Sequence, residues 1–497
     1  MKCLRFLAIF LMGLGTAALA SPNAALAEQA RPGEKCQVDP LPEWSEPEHW
    51  AWSEICEGRE ADFNQLYGVW LDPKEADGWN DDRKLSQAFL ETILLHKPFR
   101  GALTRKGVRI IGAWFRQPVD LGHGILDREL WLDKSRFESN VQLTSVKSAD
   151  LISLEGSKFA DSLVMAWLEV GGSLLMDDAE FGEVSLAGAK IGGQISMIDS
   201  KFTGELVMDS LEVGSSLFMR GAEFAEPVNL IFASIGSNLD LSGAKLESLD
   251  LTGTQITGEL RLGSGQHPKL EWGETPRLIL RNTVVEALQD REESWPENLQ
   301  LELDGFTYSR LGGFGAEAGR DMASRDAQWF IKDWLAKDET YSPQPYQQLA
   351  SVLRVAGHAE KADDILYASK ERERSNAKGI RLAGLTLLKV VIGYGYGYRY
   401  FYSLAWMAVL VLVGVGVLRL ADEQKKQQIA DEQKNQKIPV GFWYSLDMAL
   451  PIIRLREAHY EEVDLVSRPA RIYFYAHKTL GYLLLFFFIA GLSGLTK

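Results

Sequence analysis

From Val108 to Leu262 the apolar positions follow a rhythm that a helix cannot produce. Between Phe181 and Leu262, bulky apolar residues stand at 181, 186, 191, 197, 202, 208, 213, 219, 224, 230, 235, 241, 246, 251, 256 and 262, always five or six apart. An amphipathic helix needs steps of three and four. Two positions before many of them sits a second inward candidate, among them Ala179, Ala189, Ala222, Ala233, Leu239, Ala244, Leu249, Thr254 and Leu260. This alternation sends two side chains inward on each side and leaves the others to water. Four sides make one coil. Val170-Gly-Gly-Ser-Leu-Leu-Met176, Ile191-Gly-Gly-Gln-Ile-Ser-Met197, Val213-Gly-Ser-Ser-Leu-Phe-Met219, Ile235-Gly-Ser-Asn-Leu-Asp-Leu241 and Ile256-Thr-Gly-Glu-Leu-Arg-Leu262 begin 21, 22, 22 and 21 residues apart. A fixed period of this size predicts stacked units that bury one continuous core. Glycines at 171–172, 192–193, 214 and 236 follow the same inward position, where a tight corner needs their backbone freedom. The pattern predicts a mainly β fold: a four-sided parallel β-helix over residues 101–315.

The passage Ala244-Lys-Leu-Glu-Ser-Leu-Asp-Leu-Thr-Gly-Thr-Gln-Ile256 resembles the pentapeptide-repeat family of right-handed quadrilateral β-helices. Several sides hold six residues rather than five, a departure from that family. The resemblance implies a right-handed solenoid and no particular chemistry, since such solenoids serve as surfaces. Earlier coils are read from Ile125 and Val146, 21 apart, and from Leu130-Trp-Leu132, Phe137 and Val141-Gln-Leu143, with one longer coil before Val170. After Leu262, Leu278-Ile-Leu280 and Leu299-Gln-Leu-Glu-Leu303 predict two further strands around an acidic insert, Asp290 to Trp295. Leu311-Gly-Gly-Phe-Gly315 ends the solenoid.

The flanks change period. Residues 1–27 read as a secretory signal, with Lys2 and Arg5 before the apolar run Phe6 to Leu14, and cleavage motifs at Ala18-Leu-Ala20 and Ala25-Leu-Ala27. An uncleaved anchor is the alternative. Residues 28–100 form an N-terminal cap: an extended collar from Glu28 to Trp52, then a helix within Asp62 to His96. Residues 316–379 read as a helical adaptor, one αα-hairpin similar to a tetratricopeptide unit, packed on the solenoid end. Residues 380–497 read as a membrane domain. Its spans lie near 401–420 and 472–495, each close to the roughly 20 residues a bilayer requires. A short interfacial or re-entrant helix, Val440 to Ile453, stands between them. Tyr394, Tyr396, Tyr398 and Tyr400 suit an interfacial belt. Two copies of a nonapeptide, Ala421 to Ile429 and Ala430 to Ile438, form a solvated linker.

Charge and cysteine content then narrow the setting. The net charge of −15 and pI near 5.1 argue against nucleic acid as a partner. Cys36 and Cys56 are the only cysteines after the signal; 20 apart in an exported segment, they read as one disulfide. With the N-terminus exported, residues 419–471 are expected in the cytoplasm and the solenoid outside; the nine Lys or Arg of that loop agree with this, although the stretch before the first span is basic too and charge alone does not decide.

Candidate chemistry is sparse. Residues 101–263 carry 23 Asp and Glu against 14 Lys and Arg. Asp133, Glu155, Asp177, Asp178, Asp199, Asp209, Asp240 and Asp250 are read as outward, and aligned coils bring Asp178 and Asp199 together. A solvated face accounts for them; a polysaccharide-cleaving cleft is the sharper alternative. Trp131 and Trp167 are the aromatic anchors expected on a binding wall. Beside the membrane, Asp447, Pro451 and Arg454 form a candidate site, in a span–short helix–span layout shared with pore modules. No zinc spacing, dinucleotide fingerprint, haem or iron–sulfur motif or CxxC is present, so no metal or cofactor is expected.

Phe89-Leu-Glu-Thr-Ile-Leu-Leu95, Phe218-Met-Arg-Gly-Ala-Glu-Phe224, Pro343-Gln-Pro-Tyr-Gln-Gln-Leu349 and Ser445-Leu-Asp-Met-Ala-Leu-Pro-Ile452 resemble a bacterial family of exported, pentapeptide-repeat-like membrane proteins. Relatives are sometimes labelled membrane-associated oxidoreductases, a label no motif here supports. The expectation is a non-enzymatic inner-membrane protein with a periplasmic solenoid, which binds or scaffolds an envelope protein or polysaccharide and contacts membrane lipid, with homo-oligomerisation as a further possibility. The alternatives are a gated ion channel with a periplasmic sensor and a carbohydrate-active enzyme.

Overall fold

A computed structural model describes residues 36–264, 268–315, 322–420, 440–450 and 468–492. The signal segment, the nonapeptide copies, Pro451 and Arg454 lie outside the described residues.

Residues 108–311 form a parallel β-solenoid of about nine turns. One coil shows the plan: Glu169–Val170 is side 1, Leu174–Leu175 side 2, Glu180–Phe181 side 3 and Val184–Ser185 side 4, and Lys190–Ile191 restarts side 1. Each side pairs in parallel with its counterpart one coil away. The inward residue of side 3 is Phe115, Phe137, Phe159, Phe181, Phe202 and Phe224 in successive coils, with ring centroids 4.4–5.3 Å apart and planes within 18°. That separation is the strand spacing of a sheet, about 4.8 Å. The fold therefore stacks the rings, and each ring buries its neighbours. Beside them runs a column of small buried residues, Ala179, Ala222 and Ala244 among them, with Ser135, Ser157 and Ser200 at the same place. The serines are satisfied locally: Ser157 Oγ donates to the Leu132 carbonyl at 2.7 Å.

One early coil differs from the sequence reading. Ile125 pairs with Lys147, and Leu126 with Ser148; Lys147 in turn pairs with Glu169, so no longer coil intervenes. Ile125 faces solvent. Ser148 fills the inward slot that Val170 takes next, and its hydroxyl donates to the Asp150 carbonyl at 3.1 Å. A polar residue in an inward slot hid the period.

The N-terminal cap also departs from expectation. The last seven residues of the supposed collar belong to a helix, α1 (Glu46–Cys56). A capping box sets it: the Glu48 carboxylate accepts from the Ser45 amide at 2.8 Å and the Ser45 hydroxyl at 2.9 Å. The same side chain accepts from the amide of Ser86, at the start of α2 (Gln87–Leu95). Burial works to raise the Glu48 pKa, and these Ser86 and Ser45 bonds outweigh it and hold it low. Between the two helices, Ala61–Asp62 pairs with Ile110 and Ile111 and covers the first coil's open edge. Trp52, Ile55, Phe63 and Phe89 are fully buried over it. The Cys36–Cys56 disulfide is formed.

At the other end, the predicted hairpin is α3 (Gln344–Val355) and α4 (Ala359–Asn376). Gln344 Nε2 donates to the Phe306 carbonyl at 3.0 Å and Gln348 Nε2 to the Tyr308 carbonyl at 2.6 Å. These side chains occupy acceptors of the last coil that another strand would have taken. The acidic insert is a plug rather than a solvated loop: Asp290 pairs with Arg325 at 2.8 Å, and Trp295 is buried.

Helix α5 (Gly379–Ile392) leads into an elbow where Gly393, Tyr394, Gly395 and Gly397 all have positive φ. Tyr394 turns back to the adaptor: its hydroxyl donates to Glu371 at 2.7 Å, and Lys389 donates to the same carboxylate at 2.6 Å. Thus at least one tyrosine of the expected belt is a joint. Among the described residues three helices follow: α6 (Tyr402–Leu420), α7 (Val440–Ala449) and α8 (Arg468–Leu492). Gly397–Leu420 and Arg471–Gly491 are long and apolar enough to cross a membrane.

Candidate functional site

Side 1 of the solenoid forms a shallow trench of about 1010 Å³, extending from Ile125 to Gly236. Its outward column reads Ile125, Lys147, Glu169, Lys190, Glu212 and Ser234, in register from coil to coil. In parallel strands each outward residue stands beside its counterpart, so like charges would repel. The alternation of sign converts this into ion pairs: Lys147–Glu169 at 2.9 Å and Lys190–Glu212 at 2.8 Å. Glu212 holds the Lys190 ammonium above its ordinary pKa by hydrogen bond and charge. Side 3 repeats the device with Lys158–Glu180 and Lys245–Glu223.

One margin of the trench is the glycine corner at Gly171, Gly192, Gly214 and Gly236. A Cβ on Gly214 would run into the Gly192 carbonyl of the preceding coil, so only hydrogen fits. The other margin is a corner of left-handed residues: Trp167, Gly188, Ser210 and Phe232, with φ of 57°, 66°, 56° and 58°. Trp167 lies over Gly188, where a Cβ would approach its ring to 2.6 Å, and Phe232 lies over Gly253 in the same way. Each ring thus rests one face on the next coil, and the two residues remain 62 % and 67 % exposed.

The structure separates the predicted anchors. Trp167 stands in the corner column whose Ser210 and Phe232 line the trench. Trp131 is on side 2, half-buried, with the Arg109 guanidinium 4.2 Å from its ring centroid. Phe232, which the sequence reading missed, is the true companion of Trp167; the coil-to-coil column 167, 188, 210, 232 is the signal that finds it. Asp178 and Asp199 are neighbours on the corner between sides 2 and 3, both exposed and left-handed, away from the trench.

Two carboxylates expected outside are inside. Asp133 is buried because its Oδ1 accepts from the Ser153 hydroxyl at 2.6 Å and the Glu155 amide at 3.0 Å in the next coil. Burial, with a smaller push from the Glu155 charge, raises its pKa to about 6 against those hydrogen bonds. Asp240 is fully buried under Arg261, which donates to it at 2.9 Å.

The C-terminal helices hold a second constellation. Ser445 Oγ of α7 donates to the Val411 carbonyl of α6 at 2.8 Å. His477 Nε2 of α8 lies 3.0 Å from the Ser445 carbonyl, and Tyr473 Oη lies 3.1 Å from His477 Nδ1. A carbonyl only accepts, so the Nε2 proton points at Ser445. Gly414 permits this approach: a Cβ there would stand 2.9 Å from His477 Cε1. Asp447, singled out in the sequence, is fully buried two residues from Ser445 on α7; Ser403, at the start of α6, is also fully buried and donates to the Tyr400 carbonyl at 2.7 Å. Among the described residues, no group of three or more His, Cys, Asp or Glu is placed to hold a metal.

The chain matches no family model, no curated protein and no solved structure.

Proposed function

We propose that this chain is a membrane-anchored scaffold or binding protein of the bacterial cell envelope, akin to pentapeptide-repeat-like exported proteins. The solenoid stands in the periplasm on two inner-membrane spans, and the side-1 trench receives an extended envelope protein or polysaccharide. One observation carries this reading: a rigid trench with a bare glycine margin, internally neutral ion pairs and two aromatic rings lying flat along the opposite edge. Backbone groups of its floor bond from coil to coil, as the Gly171 amide does to the Ser148 carbonyl and the Gly214 amide to the Ile191 carbonyl, so recognition falls to side chains and ring faces. Aromatic anchors held by their support cost little to order on binding. The Cys36–Cys56 disulfide supports an oxidising compartment.

The test is cross-linking in intact cells, followed by mild solubilisation and mass spectrometry. The paired substitution Trp167→Ala and Phe232→Ala should abolish capture of a specific envelope component while the chain stays folded. Undiminished capture would sink the trench as the contact surface.

A second reading, a gated pore, draws on the fully buried Asp447 and His477 between the spans, since intramembrane ionisable groups commonly mark ion pathways. Ion flux in reconstituted vesicles that changes with Asp447→Asn would move the assignment to it.

A further inference from the structure

A slot of about 500 Å³ opens between α5 and the two spans. Its walls are Leu388 and Ile392 of α5, Trp406 and Val413 of α6, and Leu484 and Phe487 of α8, among other apolar residues. Among the described residues, the only wall residue with a polar side-chain group besides Trp406 is Tyr473, and its hydroxyl is turned to His477. The Trp406 indole donates to the Val390 carbonyl at 2.8 Å, which ties α5 to α6 at one end. On the adaptor side, Lys389 and Tyr394 fasten the same segment to Glu371. These bonds fix α5 against α6 and against the adaptor at one end of the slot.

Its shape selects the occupant. Wall residues on α8 run from Tyr473 to Phe487, which at 1.5 Å per residue is about 21 Å along the helix. Spread over that length, even the whole empty space between the walls, about 1140 Å³, gives a mean cross-section of at most about 54 Å². A helix 10–12 Å across would need about 80–110 Å². A second copy's helix does not fit; a single hydrocarbon chain does. Leu387, Val409 and Leu483, which share this wall, are 64 %, 45 % and 49 % exposed, so the mouth is continuous with the outer surface of the spans. At that depth the surrounding solvent is lipid tail. An empty slot would forfeit dispersion contacts along its whole lining, and water finds almost no partner there.

The geometry points to a structural lipid site: one acyl chain of a membrane phospholipid lies lengthwise between α5, α6 and α8. This rests on the membrane reading above. Within the bilayer the tail exchanges one apolar contact for another, so the site is filled as a matter of packing. In detergent solution the competing occupant is a detergent tail; an acyl chain long enough for the wall of about 21 Å buries more CH2 groups than a shorter detergent tail, at about 0.8 kcal/mol each, so the lipid should be the one retained.

The full chain, purified in mild detergent, would be extracted and its phospholipid counted by mass spectrometry. About one retained phospholipid per chain is expected. Val413→Trp and Leu484→Trp, which fill the slot, should each lower retention at least fivefold. Unchanged retention in both, or none in the wild type, would overturn the site. A second measurement needs no filling variant: phospholipid with brominated acyl chains, added to the micelles, should quench the fluorescence difference between wild type and Trp406→Phe. Absence of quenching would also count against it. Alkaline carbonate washing separates the two levels of failure. A chain that washes off membranes overturns both the membrane reading and the lipid site; one that stays but holds no lipid overturns only the site.

Discussion

The solenoid and the membrane bundle solve one problem with opposite surfaces. In the solenoid, apolar columns such as the phenylalanine stack lie inside and ion pairs lie outside. In the bundle, Leu412, Leu483 and Phe486 face outward, while Ser403, Ser445, Asp447 and His477 are fully buried. Water makes burial of apolar area the main source of stability in the first. In the bilayer proposed above, lipid would give no such drive between helices, and close packing and polar contacts would hold the second together. The difference teaches where each half is vulnerable: the solenoid in its interior columns, the bundle at single hydrogen bonds.

The largest expected effect is therefore Phe181→Ala. Its ring is fully buried and stacks on Phe159 at 5.3 Å and Phe202 at 5.1 Å. Removing it deletes contacts with both neighbours and leaves a cavity that rigid coils cannot collapse. A loss of about 3–5 kcal/mol is expected for such truncations, measured by denaturant unfolding of the full chain. A loss below about 1 kcal/mol would mean that the coils relax around the gap, against the rigid packing described.

Asp133→Asn should go the other way. Its folded-state pKa of about 6 lies above the ordinary 3.8, so its contribution to stability is fully present below about pH 3.8 and is lost as pH rises through 6. The shift corresponds to roughly 3 kcal/mol at neutral pH. Asparagine keeps an acceptor for Ser153 and the Glu155 amide without the charge. The variant should match wild type near pH 3 and exceed it at pH 7, with the gap opening between pH 4 and 6. Equal stability at both pH values would show that the buried carboxylate is not under strain.

In the bundle, Ser445→Ala removes the bond to the Val411 carbonyl. Interhelical bonds of this kind contribute about 0.6–1.7 kcal/mol. A small fall in the thermal stability of the detergent-solubilised chain is expected, with the solenoid's own unfolding unchanged. If both transitions shift together, the two regions are energetically one unit and the contrast drawn above fails.

How much of this was legible depends on repetition. Five nearly identical segments made the coil period, four sides and inward columns readable from residues alone. Where one coil broke the pattern, as at Ser148, the reading slipped by a residue. Outward assignments failed at Asp133 and Asp240 because a carboxylate can turn in when the next coil offers donors, and that offer comes from a residue about 20 positions away. The helix at Glu46–Cys56 was announced by Ser45 and Glu48, a signal overlooked among the neighbouring prolines. The bundle contains no repeat. Asp447 stood out as a lone charge, but Ser445 and His477 are 32 residues apart and nothing in their types foretold their contact.

The smallest effect tests the surface half of the contrast. Lys190 sits between Glu169 and Glu212 on side 1 and is solvent-exposed, with its ammonium 2.8 Å from Glu212. Lys190→Glu would stack three carboxylates at the coil spacing, where like charges directly opposite destabilise a sheet. Exposed pairs are worth little and are screened by salt. The expected result is a small drop in thermal midpoint at low ionic strength that disappears in about 1 M salt, where the Debye length falls to about 3 Å. A drop that survives high salt would mean that the lysine stem packs the trench floor, and that the charge alternation is incidental to it.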